Sequence, residues 1–308
     1  MVRRLSSVPG VVLVSVAAAL WGTDALFRRP LAHSISATTI VFGEHVVLVL
    51  ITLPLLIPAL RALWEAGVSY VVAAVAIGAG ASAIATILFT QAFVHGDPIT
   101  PVVLQKVQLL VAVTGAPIVL GEQPRPRFAW FFLPALAGIW LIALQHPLAP
   151  HARGLTPIAE ALGAAVLWGL GTVFGRYLSQ RLSFEHVTTV RFAFGLVASA
   201  AALPLVGAPG WAGVHDSLWI LVLALVTGAV ALALYYYGLR RTPATLAALG
   251  ELAFPVTASL VGIYAFHAHL RWSQWLGVAV TVAVVTLLPV RRREIVRVPP
   301  PEAAPVPA

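Results

Sequence analysis

Five ionisable residues stand inside long apolar runs of this sequence: Asp24, Glu44, Lys106, Arg191 and Glu251. A charge at mid-helix in a bilayer costs about 2.5–3.5 kcal/mol on insertion scales, so such residues face the protein interior and tend to be functional. Lys106 and Glu251 are opposite in sign, and each stands eight residues after a proline, Pro98 or Pro243. A central pair of this kind could neutralise itself when empty and open to hold a zwitterionic or charged solute. Protonation of Glu251 could couple that opening to a proton gradient. The alternative is a permanent ion pair that only fixes helix register. Gln105 and Gln108 flank Lys106, and their amides suit either solute lining or interhelical hydrogen bonding. Glu44 sits beside His45, a combination fit for an outer gate or a proton relay, while the other reading of His45 is a hydrogen-bonded interior histidine. Asp24 is either an outer-gate, proton-handling residue or the (i, i+4) partner of Arg28. Arg191 reads as a snorkelling or anchoring side chain, with solute binding the alternative.

The elements that position these residues follow from composition. Of 308 residues, 60% are hydrophobic and only 10% charged, with a mean hydropathy of +0.94. Soluble domains carry about 25% charged residues, so the solvent for this chain is lipid. A span needs about 20 apolar residues to cross a bilayer core. Breaks at Pro, Gly and charge clusters mark ten spans, at 9–27, 38–57, 68–93, 98–119, 128–146, 157–178, 186–206, 217–239, 243–266 and 272–290. The expectation is an all-α integral membrane protein of ten transmembrane helices. The first span has the basic flank and apolar run of a signal peptide, but a second copy of its pattern deep in the chain argues that it is retained.

That second copy organises the molecule. "ALWGTDALFRR" at 19–29 returns as "VLWGLGTVFGR" at 166–176. An offset of 147 pairs Trp21 with Trp168, Gly22 with Gly169, Phe27 with Phe174, Arg29 with Arg176 and Ser36 with Ser183; an offset of 145 pairs Pro98 with Pro243 and Lys106 with Glu251. Residues 1–150 and 151–293 thus form two repeats of five spans, and residues 294–308 a disordered tail. An odd number of spans inserts the second repeat upside down, an architecture of secondary transporters with the site near the midplane. Pro-interrupted spans in corresponding positions, here the fourth and ninth, point to that site. Trp21 and Trp168 either pack inside it or wall a cavity that stacks on an aromatic or cationic solute. Asp24 has no counterpart, because Gly171 occupies its matched position. Tyr235, Tyr236 and Tyr237 read as interfacial anchors, with a gate the alternative.

Ten spans, five-span repeats and Leu-Trp-Gly near the start of each resemble the drug/metabolite transporter superfamily, specifically its EamA-type family. "YYYGLRRTPATLAAL" (235–249) is similar to that family's junction of the eighth and ninth spans, and "VLGEQ" (119–123) to the Gly-Glu pair closing the fourth. The second Gly-Glu pair is replaced here by "FHAHL", with His267 and His269, and Glu251 stands four residues before Pro255 rather than next to it. The resemblance implies export of a small metabolite such as an amino acid or related amphipathic compound, by alternating access with proton exchange.

With the N-terminus cytoplasmic, only Arg28, Arg29, Arg153 and Arg271 among the loop cations lie outside, which places both termini inside a bacterial-style inner membrane. The same basic loops account for the net charge of +8 without a nucleic-acid partner. There is no cysteine, so disulfides and thiolate chemistry are excluded. The sequence contains neither a phosphate-binding loop for ATP nor a zinc-protease or G-x-S-x-G hydrolase motif, and no metal or cofactor is expected. A membrane-embedded enzyme using Asp24 or Glu44 and a non-catalytic flippase or assembly subunit are the alternatives.

Overall fold

The computed structural model describes residues 8–95, 104–122, 128–143, 155–267 and 269–287, and every regular element among them is helical. The first half of the chain gives α1 (Gly10–Gly22), α2 (Asp24–Ser34), α3 (Ala37–Ala66), α4 (Val68–Val75), α5 (Ala85–His95), α6 (Val107–Leu120) and α7 (Ala129–Ala143). The second half gives α8 (Leu155–Leu178), α9 (Phe184–Leu205), α10 (Val214–Leu223), α11 (Ala231–Leu239), α12 (Ala244–Gly250), α13 (Ala253–Phe266) and α14 (Trp272–Leu287). A π-helical segment, Ala76–Ile84, joins α4 to α5, and a second, Ala224–Val230, joins α10 to α11.

Among the described residues, seven continuous helical stretches are long and apolar enough to cross a membrane: Gly10–Arg28, Ala37–Ala66, Val68–Ala92, Leu155–Leu178, Phe184–Leu205, Val214–Leu239 and Ala244–Ala265. Three shorter apolar helices, Val107–Leu120, Ala129–Ile142 and Trp272–Leu287, complete the set, so each of the ten segments expected from sequence overlaps one of these. The surface suits lipid. Leu50, Ile57, Ile118, Leu133, Val197 and Leu205 are exposed, and Trp64, Trp130 and Trp272 stand outward at helix ends, as interfacial tryptophans do.

Matched sequence produces matched local structure. Ser36 and Ser183 both N-cap the next helix, Oγ accepting from the backbone N–H of Thr39 at 3.1 Å and of His186 at 3.3 Å. Such a cap satisfies an otherwise orphaned donor and is worth about 1 kcal/mol. At the other end, α6 and α13 both stop on a left-handed residue, Gly121 at φ 66° and His267 at φ 51°. Glycine takes that conformation freely; His267 takes it against the usual steric penalty.

Packing follows the same correspondence. α1 lies against α11 and α13, while α8 lies against α5 with its π segment and against α6. α3 packs on α9, and α7 on α14. Exchanging each first-half helix for its second-half counterpart leaves this pairing unchanged. Close approach at the matched glycines permits it. A Cβ on Gly22 would stand 2.8 Å from the Phe254 carbonyl, and one on Gly169 2.7 Å from the Gln108 carbonyl. Gly10 and Gly238 meet at one end of α1, beside Arg241. Arg28, 18 residues further along, stands about 27 Å away at the helical rise of 1.5 Å per residue, near the opposite end of the bundle.

Candidate functional site

Glu251 occupies a break between two helices. Pro255 has no N–H to give to the Glu251 carbonyl, so the ladder slips there. Phe254 N–H donates to that carbonyl instead at 3.0 Å, and Glu251 and Leu252 form a turn between α12 and α13. Lys106, its matched residue, also lies at a turn, as the N-cap of α6. The backbone thus sets both side chains at interrupted helices inside the bundle, 8% and 6% exposed. Pro98 and Pro101, expected to break the first of these spans, lie outside the described residues.

The Glu251 carboxylate is held by three donors from three elements. Tyr235 Oη donates to Oε1 at 2.7 Å, Thr172 Oγ1 to the same oxygen at 3.0 Å, and Gln108 Nε2 to Oε2 at 3.1 Å. Tyr235 also reaches Thr172 at 3.2 Å. Lys106 does not pair with it. Its Nζ points over the Phe254 ring at 4.5 Å and donates to Gln105 Oε1 at 3.4 Å. The expected direct Lys106–Glu251 ion pair is therefore absent from this arrangement. Hydroxyl and amide donors on α11, α8 and α6 take the carboxylate oxygens before an ammonium can.

Trp21 closes one side. Its ring lies 5.0 Å from that of Tyr235, and Nε1 donates to the Thr227 carbonyl at 2.9 Å, inside the π segment. Trp168 turns its ring onto Phe89 instead, at 5.0 Å edge to face. The two tryptophans, matched in sequence, thus do different work. Tyr236 is fully buried and its hydroxyl accepts from Arg191 Nη1 at 2.8 Å. Tyr235 and Tyr236 are interior residues, correcting their reading as interfacial anchors. Only Tyr237 behaves as such, with the Arg241 guanidinium 4.0 Å above its ring. Arg191, read as snorkelling, is 9% exposed and donates also to the Ala81 carbonyl at 3.3 Å, again within a π segment. π segments release backbone carbonyls from the helical ladder and recur at functional sites.

Two further ionic clusters stand toward the ends of the bundle. Arg28 clamps two carboxylates: Nε and Nη2 donate to Asp24 at 2.6 and 2.9 Å, Nη1 and Nη2 to Glu44 at 3.1 and 3.0 Å. Asp24 therefore does make its (i, i+4) contact with Arg28, and Glu44 joins it. His45 bonds elsewhere, to Ser82 Oγ at 3.0 Å and the Val41 carbonyl at 2.7 Å. At the other end, Arg176 donates to Glu122 at 2.9 Å and to the carbonyls of Leu239 and Arg240 at 3.2 and 2.6 Å. Glu122 in turn accepts from Ala244 N–H at 2.8 Å, so one salt bridge ties the ends of α6, α8, α11 and α12. Sequence reading missed Arg28 and Arg176 as site residues, since both sit near span ends where cations count as loop charge. Their spacing from Asp24 and their place in the repeated motif were the available signals.

The profile of the EamA-like transporter family matches residues 156–289. Over 269 residues the chain is 30% identical to the riboflavin transporter ImpX of Fusobacterium nucleatum, covering 82% of this chain and 87% of that protein. This chain belongs to the EamA-like transporter family. It is a multi-pass membrane protein of the drug/metabolite transporter superfamily. The uncharacterized transporter YwfM of Bacillus subtilis is 28% identical over 188 residues, 55% of this chain and 60% of its own. A solved crystal structure superposes with a TM-score of 0.67 over 90% of this chain and 95% of the other at 19% identity, a likeness of fold. Membership places an EamA-type helix bundle around the Glu251 cluster, and the residues that fill its centre are this chain's own.

Proposed function

We propose that the protein is a secondary transporter that moves a small amphipathic metabolite by alternating access. In this reading ten spans form two five-helix repeats of opposite orientation, which rock about the Glu251 cluster. One observation carries it: Lys106 and Glu251 occupy matched helix breaks inside the bundle, at the place where transporters of this architecture bind solute. The exchange-invariant helix pairing supports the two-repeat arrangement, and the clusters around Arg28 and Arg176, near opposite ends, supply contacts that one access state makes and the other breaks. Both termini are cytoplasmic, the membrane is the bacterial inner membrane, and the direction is export with proton exchange through Glu251. Amino acids and their amphipathic relatives head the solute panel. The name of the Fusobacterium relative adds riboflavin, whose planar ring suits the wall made by Trp21, Tyr235 and Phe254.

The test is counterflow in proteoliposomes holding the purified chain alone. Saturable, exchange-dependent accumulation of an unmodified solute supports the proposal. Unsaturable flux would indicate a pore, chemical conversion of the solute an enzyme, and no flux an assembly subunit or flippase.

A further inference from the structure

Three arginines inside this bundle can be compared as each other's controls. Arg28 is neutralised by two carboxylates, Asp24 and Glu44, and Arg176 by Glu122 with two backbone carbonyls. Arg191 differs. Its two recorded acceptors, the Tyr236 hydroxyl and the Ala81 carbonyl, are both neutral, and its buried Nε–H has no acceptor at all. Lys106 is in the same position, with a glutamine oxygen and the face of Phe254 as its only recorded partners. A buried cation held by neutral oxygens alone has lost its hydration without gaining a counter-ion, an arrangement that persists where a missing group completes it.

The one carboxylate nearby does not complete it. Glu251 already accepts from Tyr235, Thr172 and Gln108. Those three donors also leave a substrate ammonium a single acceptor position, which disfavours a zwitterion. What the interior offers is donors: a free guanidinium N–H on Arg191 and an ammonium with unspent protons on Lys106, while the carboxylate of Glu251 already has three of its acceptor positions taken.

We infer that the transported solute carries an oxyanion, a carboxylate or a phosphate, and that Arg191, whose buried Nε–H lacks an acceptor, binds it inside the bundle. The inference rests on the transporter reading and narrows its substrate class. An oxyanion takes the parallel donors of a guanidinium in two hydrogen bonds. An aromatic body on that oxyanion would meet Trp21 and Tyr235.

Two matched probe pairs test it on the detergent-purified full chain: benzoate against benzamide, and riboflavin 5′-phosphate against riboflavin. Melting temperature is read as a function of probe concentration. The anionic member of at least one pair should stabilise at a concentration about tenfold or more below its neutral partner, and the pair that responds distinguishes carboxylate from phosphate. Arg191→Gln should erase that difference, and Arg191→Lys, which keeps the charge without the paired donors, should shrink it. Equal response within both pairs, silence of all four probes, or an undiminished preference in Arg191→Gln would overturn the inference. Should Arg191→Gln not fold, the wild-type pairs and Arg191→Lys still decide. Counterflow separates the two readings. Transport of neutral solutes without anion preference sinks the oxyanion site alone, whereas anion binding without counterflow sinks the transporter.

Discussion

Tyr235 gives its hydroxyl proton to Glu251 at 2.7 Å across the boundary between α11 and the α12–α13 break. If Glu251 is the proton carrier, that bond must be made and broken in each cycle. Glu251→Gln retains an acceptor for Tyr235 and a similar volume but cannot release a proton. Counterflow, which needs no net proton movement, should stay within about threefold of wild type, while gradient-driven transport should fall by tenfold or more. Unchanged gradient-driven transport would remove Glu251 from proton coupling.

Tyr235→Phe tests the same bond from the other side. It removes the shortest donor to a buried carboxylate and leaves Thr172 and Gln108 to hold it. Deleting a hydrogen bond to a charged group costs about 1.5–3 kcal/mol. A lowered melting temperature together with weakened solute affinity is expected. A fall in neither would mean that Tyr235 is wall rather than partner.

The Arg28 cluster should behave as a unit. Arg28→Met leaves Asp24 and Glu44 facing each other without a cation, the case in which breaking a buried pair costs about 3–5 kcal/mol. Asp24→Asn leaves Arg28 its Glu44 contacts at 3.0 and 3.1 Å and should cost far less. Melting of the two variants in detergent measures the ordering, and the reverse order would deny that Arg28 is the keystone.

The same cluster shows how far the sequence reaches. The apolar spans, the pairing of Ser36 with Ser183 and the interruption of the ninth span near Pro255 were legible, because hydropathy, repeated sequence and proline are read locally on the chain. The (i, i+4) contact of Asp24 with Arg28 was legible for the same reason. Charge alone, however, suggested that Lys106 would satisfy Glu251. Two of its three actual donors, Thr172 and Tyr235, are neutral residues 79 and 16 positions away, on helices whose rotation no periodicity reveals. Tyr235 and Tyr236 carry the residue type of a membrane interface, and only their neighbours in space make them interior.

The matched glycines should be intolerant in parallel. Alanine at Gly22 or Gly169 would put a methyl group within 2.8 Å of a backbone carbonyl on the facing helix, and backbone cannot step aside as a side chain does. Overpacking of this kind costs about 1–3 kcal/mol. Equal losses of melting temperature in the two single variants would express the correspondence of α1–α13 with α8–α6 packing. A neutral outcome in either would break it.

The salt bridge between Arg176 and Glu122 fastens one end of the bundle, since Glu122 also receives the first N–H of α12 from Ala244. Glu122→Gln keeps a carbonyl for Ala244 but discharges the bridge, while Arg176 keeps its bonds to Leu239 and Arg240. That end should then open more often. The chain has no cysteine, so Ser179→Cys, at a position 2% exposed one turn beyond Arg176, provides a unique reporter without background. Loss of about 1.4 kcal/mol of closing energy corresponds to a tenfold larger open population. Modification by a membrane-impermeant maleimide should therefore accelerate several-fold up to about tenfold when Glu122→Gln is added to Ser179→Cys. An unchanged rate would show that the bridge fixes helix ends without holding a gate. Acceleration with unchanged melting temperature would locate the effect in the opening step itself.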